Sequence, residues 1–293
     1  MRKILVFRGG ALGDFLVTLP ALALLRQRWP EAKIELVGNA PAAALAQSCS
    51  LLDAAHSQHE ARWAALFRAG PLPPELAAWL AGFDLVVNFW PDPDGALQRR
   101  FPLHAGQRFL MASALPEIAP AAAHYCAALA PLGLAAEDYF HRLDVGRGSA
   151  TPPHIVAVHP GSGSAQKNWP LERWAELCAW LRREHRAELL IVTGEAEPAD
   201  ALAAFGPPAR SLPLAELAER LSRCRLFLGH DSGISHLAAA CGVPCVLLFG
   251  PTDPVTWAPP SPRVRVLRRG AELDAISVAE VQRAVSAALA DRT

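Results

Sequence analysis

The chain has 293 residues, 52% of them hydrophobic, enough for two domains of ordinary size and a substantial core. Its 28 basic and 28 acidic residues cancel, and they balance within each half, 13 against 13 up to residue 150 and 15 against 15 beyond it. That evenness excludes bulk attraction to nucleic acid, and no apolar run approaches the roughly 18 residues of a membrane span. The basic residues are 25 Arg and only 3 Lys, so a lysine inside a motif stands out. Six cysteines lie mostly in apolar segments with no Cys-x-x-Cys pair, which predicts reduced core thiols in a cytoplasmic protein. The first apolar run, Ile4 to Phe7, is too short for a signal peptide. Peripheral contact with a membrane surface stays open.

Ile4 to Phe7 reads as a buried strand, followed by a glycine-rich turn, a helix from about Phe15 to Trp29 and a strand from Ile34 to Val37. The alanine-rich residues 41 to 81 predict two or three helices, and Leu85 to Phe89 predicts a further strand. Glycine, serine and proline between Asp144 and His154 mark a linker. The pattern then restarts, with strand Ile155 to Val158, a glycine-rich loop, a helix from about Leu171 to Glu184 and strand Leu189 to Thr193. Strands Leu226 to Leu228 and Val246 to Phe249 and a final helix near Val278 to Ala290 complete it. Two successions of strand, glycine loop and helix predict an α/β protein of two Rossmann-like domains, 1–148 and 149–293, facing each other across a cleft. The final helix is free to pack back on the first domain. Ligands of such sheets bind at the carboxyl ends of the strands.

Three loops at those ends carry candidate chemistry. In Arg8-Gly-Gly-Ala-Leu-Gly-Asp14 the glycines Gly9, Gly10 and Gly13 make the turn, and Asp14 either caps the helix or serves as a general base. The glycine spacing does not fit a dinucleotide fingerprint. In His159-Pro-Gly-Ser-Gly-Ser-Ala-Gln-Lys-Asn-Trp-Pro170 small residues allow close approach to a phosphate. Ser162, Gly163 and Ser164 supply donors there, and Lys167 supplies a point charge. The plainer reading is a surface turn with Trp169-Pro170 packing the next helix. In Gly229-His-Asp-Ser-Gly-Ile-Ser-His236 a helix start suits an anion, with Asp231, Ser232, Gly233 and His236 at hand. Asp231 or Ser232 is equally suited to cap that helix, and His236 to sit in the core. Glu195 or Glu197, after the strand ending at Thr193, is placed to hold a ribose hydroxyl. Asp92 and Asp94, alternating with proline, read as a turn rather than a metal pair, and no histidine spacing suits a metal. Arg62, Arg68, Arg99, Arg100 and Arg108 offer a basic face to acceptor phosphates.

Arg8-x-x-Ala-Leu-Gly-Asp14 with Thr18-Leu-Pro-Ala21, His159-Pro-Gly-Ser with Lys167-x-Trp-Pro170, and Asp231-Ser-Gly-x-Ser-His-Leu-Ala238 with Phe249-Gly-Pro-Thr-Asp-Pro254 occur in that order. The ordered set resembles glycosyltransferase family 9, the ADP-heptose:lipopolysaccharide heptosyltransferases. The resemblance implies a GT-B fold and an inverting transfer without metal or other cofactor. It implies an ADP-heptose donor and a lipopolysaccharide-type acceptor at the cytoplasmic face of the inner membrane. It also implies Asp14 as the base, with Gly9, Gly10 and Gly13 on the acceptor side. Lys167 and the Ser162 to Ser164 loop would neutralise the departing diphosphate. Asp231, Ser232 and Gly233 would hold the donor, and His236 would support their loop. Two other readings are a nucleotide-sugar epimerase or hydrolase of the same fold and a non-catalytic binding relative.

Overall fold

Two parallel sheets organise the chain, one in each of two units, Met1–His141 and Arg142–Thr293. The structure, a computed structural model, describes residues 1–145, 154–194, 205, 206 and 208–291. Glu195, Glu197 and most of the expected linker lie outside the described residues.

In the first unit β1 (Lys3–Arg8), β2 (Lys33–Gly38), β3 (Ala54–Ser57), β4 (Leu85–Asn88) and β5 (Arg108–Met111) lie in the order β3-β2-β1-β4-β5, every neighbouring pair parallel. Ile4, Leu5, Val6 and Phe7 are all fully buried, as expected of a central parallel strand covered on both faces. Helices α1 (Leu12–Leu16), α2 (Leu19–Arg28), α3 (Ala40–Ser48), α4 (Pro74–Ala81) and α5 (Ala121–Ala127) accompany the strands. The single helix expected from about Phe15 to Trp29 is thus two. Thr18 Oγ1 turns back onto the carbonyls of Asp14 (2.9 Å) and Phe15 (2.8 Å), and Pro20 lacks the N–H that would continue the helical ladder. Residues 41 to 81, expected to form two or three helices, also contain the strand β3.

In the second unit β6 (Ile155–Val158), β7 (Glu188–Thr193), β8 (Pro208–Arg210), β9 (Leu226–His230), β10 (Cys245–Phe249) and β11 (Val264–Arg268) run in the order β11-β10-β9-β6-β7-β8, again parallel. Helices α6 (Leu171–His185), α7 (Leu214–Ser222), α8 (Gly233–Ala240), α9 (Pro254–Trp257) and α10 (Val278–Ala290) accompany them. Ser277 and Glu280 close a reciprocal cap at the start of α10. The apolar face of α10, Val278, Val281, Val285, Ala288 and Leu289, joins the core formed by Trp169, Trp174, Leu177 and Leu226.

Both sheets reverse their strand order once, between β1 and β4 in the first unit and between β6 and β9 in the second. Such a switch point opens a crevice at the carboxyl ends of the strands, where ligands of doubly wound sheets bind. The three motif loops follow β1, β6 and β9. Five cysteines are buried and Cys49 is half-buried. Burial pushes the thiols of Cys126 and Cys224 up to about 12 and that of Cys178 up to about 11, so they remain protonated. Among the described residues no helix is long and apolar enough to cross a membrane.

Candidate active site

In the first unit Asp14 stands in the first turn of α1. Its Oδ2 accepts from the Ala11 N–H at 2.9 Å, so the capping role is real. The carboxylate also faces outward, with 38% of the side chain exposed, and its Oδ1 lies 3.3 Å from Arg8 Nη2. Arg8 is almost wholly buried. It donates from Nε to the Asp14 carbonyl (2.8 Å) and from Nη1 to the Ala114 carbonyl (3.4 Å), and its guanidinium lies 4.4 Å from the centre of the Tyr125 ring. Tyr125 donates to the same Ala114 carbonyl at 2.8 Å. The guanidinium therefore cannot follow solvent, and Asp14 is held from its backbone and its side chain together. Gly10 has φ +101°, and a Cβ there would stand 2.5 Å from Asp14 Oδ2, so no other residue fits without moving the carboxylate. Gly13 lies inside α1, and Gly9 lies under Gln58 and Trp90.

In the second unit three motif segments meet at one carboxylate. Lys167 Nζ is 2.7 Å from Asp231 Oδ2, and Thr252 Oγ1 donates to the same oxygen at 2.8 Å. Asp231 is the more buried partner, 12% exposed against 30% for Lys167. One of the three lysine protons is used and two remain for a ligand. Ser232 is the cap of α8, accepting from the Ser235 N–H at 3.3 Å, and Gly233 opens the helix. His236 is mostly buried in its first turn.

The loop after β6 is braced from within. Ser162 Oγ lies 2.7 Å from both the Ser164 carbonyl and Asn168 Oδ1, and it accepts from the Ser164 N–H at 3.2 Å. Its hydroxyl is thus committed to the loop, whereas Gly163 is exposed and Ser164 half-exposed. His159, buried at the end of β6, reaches the Val192 carbonyl at 2.9 Å.

His230 was not among the expected site residues. Fully buried at the end of β9, it accepts the Trp169 N–H at Nε2 (2.9 Å), while Nδ1 faces the Gly161 carbonyl at 3.3 Å. Burial drives its pKa down to about 3, against a smaller opposing effect of the Gly161 bond. The neutral ring latches the Lys167 loop to the strand that leads into Asp231. Its position beside Asp231 is the sequence signal, but a histidine ending an apolar strand reads equally well as core. Trp169 completes the latch, donating from Nε1 to the Ile276 carbonyl at 2.9 Å.

Asp92 and Asp94 form a turn, as expected. Asp92 accepts from the N–H groups of Leu97 (2.9 Å) and Gln98 (2.8 Å), and Asp94 from that of Ala96 (3.2 Å). Of the five arginines suggested as a basic face, four are engaged locally. Arg62 pairs with Glu60 at 2.9 Å and lies over Trp63; Arg99, Arg100 and Arg108 donate to the carbonyls of Asp94, Gly70 and Pro131. No group of three or more metal-binding side chains occurs among the described residues.

Two Rossmann-like units, each with polar loops gathered at the switch point of its sheet, define the GT-B fold. Solved structures share it over nearly the whole chain. The glycosyltransferase family 9 protein of Veillonella parvula DSM 2008 matches with TM-score 0.81 at 19% identity, covering 99% of this chain and 98% of that one. The E. coli heptosyltransferase WaaC, solved with ADP, matches with TM-score 0.75 at 18% identity, covering 98% and 99%. The pattern of the family described as glycosyltransferase family 9 (heptosyltransferase) matches residues 131–284, and the chain belongs to that family. Lipopolysaccharide heptosyltransferase 1 of Pseudomonas aeruginosa is 37% identical over 107 residues. That match covers 35% of this chain and 30% of the relative's length.

Proposed function

We propose that the chain is an inverting, metal-independent glycosyltransferase that moves a heptose from ADP-heptose to a lipopolysaccharide core or a related surface glycan. The observation that carries this is the Lys167–Asp231–Thr252 cluster, which joins three separate motif segments at the switch point of the second sheet. An ammonium held there by a carboxylate only 12% exposed, with two protons to spare, suits a departing diphosphate. Asp231 then positions Lys167, and Ser164, Ser232 and Gly233 are the neighbouring donor contacts, with His236 under them. Glu195 or Glu197 is assigned to the ribose.

The first unit takes the acceptor. Asp14, fixed by Arg8 yet partly exposed, takes the proton from the attacking hydroxyl, and the resulting alkoxide-like oxygen attacks the anomeric carbon as the bond to the diphosphate breaks. ADP-heptose at the Lys167 loop and a lipopolysaccharide-type acceptor at the Asp14 loop are the partners of this reading, which places the reaction at the cytoplasmic face of the inner membrane.

Asp14→Asn tests it. The variant keeps an oxygen for Ala11 but loses the base, and transfer should fall by about 10²- to 10⁴-fold while ADP-heptose still raises the melting temperature. Full activity in Asp14→Asn would refute the assignment. Rapid consumption of ADP-heptose without acceptor would point instead to the hydrolase or epimerase reading.

A further inference from the structure

Trp90 follows β4 at the switch point of the first sheet and is only 8% exposed. Its backbone is clasped by the fully buried Asn88, whose Oδ1 accepts from the Trp90 N–H (3.0 Å) and whose Nδ2 donates to the Trp90 carbonyl (3.2 Å). Phe7 packs against the indole with ring centres 4.9 Å apart, and the exposed Phe67 stacks on it at 6.1 Å. The indole is therefore fixed in place and orientation.

Its N–H meets no protein acceptor among the described residues. It lies instead over Gly9, where a Cβ would stand 3.1 Å from Trp90 Nε1 and 3.1 Å from Gln58 Oε1. The Gln58 amide is oriented by Gly10, whose N–H donates to Oε1 (3.0 Å) and whose carbonyl accepts from Nε2 (3.3 Å). The atom facing Gly9 is thus a carbonyl oxygen with a second lone pair. A fixed donor and a fixed acceptor flank a residue that has no side chain.

One common group answers both. A hydroxyl accepts from the indole and donates to the amide, whereas a carboxylate or phosphate oxygen has no proton to give Gln58. The next residue, Gly10, borders Asp14. We infer that Trp90 and Gln58 read a hydroxyl of the acceptor saccharide next to the one that attacks, and so set which acceptor the chain uses. This rests on the transferase reading. It adds specificity-determining residues that recognise a neutral hydroxyl in place of the acceptor's charge.

Trp90→Phe keeps the ring stack and deletes the N–H; Gly9→Ala puts a methyl between the two groups. The probe is a de-acylated lipopolysaccharide core oligosaccharide lacking heptose, with ADP-heptose as donor. Both variants are expected to raise the acceptor KM about five- to tenfold, the effect of one lost neutral hydrogen bond, with donor KM and kcat within about twofold. In ¹⁵N-labelled protein the eight tryptophans give eight indole resonances, and the one missing from Trp90→Phe is Trp90. The oligosaccharide should shift it downfield, and inorganic phosphate should not. Wild-type transfer with an unmoved Trp90 resonance and unchanged acceptor KM in both variants overturns this inference and leaves the transferase reading standing. A shift produced by phosphate alone also overturns it. No transfer by the wild type brings down the transferase reading and this one with it.

Discussion

Acidification should weaken the second unit through one residue, His230. Its ring is neutral because burial holds the pKa near 3, and Nε2 must keep its lone pair for the Trp169 N–H. In the unfolded chain a histidine titrates at about 6.5. The folded pKa is the lower of the two, so between about pH 6.5 and 3 the unfolded state binds the proton and the folded state does not. Stability is therefore complete above pH 6.5 and declines as pH falls. At pH 5, 1.5 pH units below the unfolded value, the loss is about 2 kcal/mol at about 1.36 kcal/mol per unit. This figure depends on the folded pKa only through its lying well below 5.

The assay is native-state hydrogen exchange on peptides spanning β6 and β9, corrected for intrinsic rates, at pH 8 and pH 5. His230→Gln, which cannot titrate, is the reference that removes the contribution of every other group. The wild type should lose about 2 kcal/mol more opening free energy than His230→Gln between the two pH values. Equal losses in the two proteins would refute the reasoning.

Gly10→Ala forces a side chain into a left-handed conformation and against the Asp14 carboxylate. The strain costs about 1–3 kcal/mol, and displacement of the carboxylate should lower kcat about 100-fold with stabilisation by ADP-heptose unchanged; wild-type kcat would show that the position of Asp14 does not matter. Thr252→Val removes the hydroxyl that donates to Asp231 Oδ2. With that charged hydrogen bond gone the donor KM should rise about tenfold, and an unchanged donor KM would show that Lys167 and Asp231 are held without it.

Strands buried on both faces appear in the sequence as apolar runs, which is why β1, β4, β6 and β10, and β2 with only the buried Glu35 interrupting it, were legible within about a residue at each end. β3 was not, because Ala54-Ala-His-Ser57 is half-buried and contains no β-branched residue. The break between α1 and α2 was not, because it depends on where the Thr18 hydroxyl turns. In the site, Asp14, Lys167 and Asp231 stood out by residue type and spacing. Arg8, Thr252 and His230 lay inside the same segments without a visible role, and Trp90 lay outside them.

The sequence alone determined that there are two parallel α/β units and which loops end their strands, since periodicity and glycine placement are local properties of the chain. Tertiary structure decided how those loops work. It brought Thr252 and Lys167 to one oxygen of Asp231 across 85 residues of chain, turned Arg8 inward onto Asp14, and left the indole N–H of Trp90 over a bare glycine. Arg8 and Asp14 are neighbours in one motif segment, but the other two arrangements join loops that follow different strands, and only the packing of each sheet brings them together.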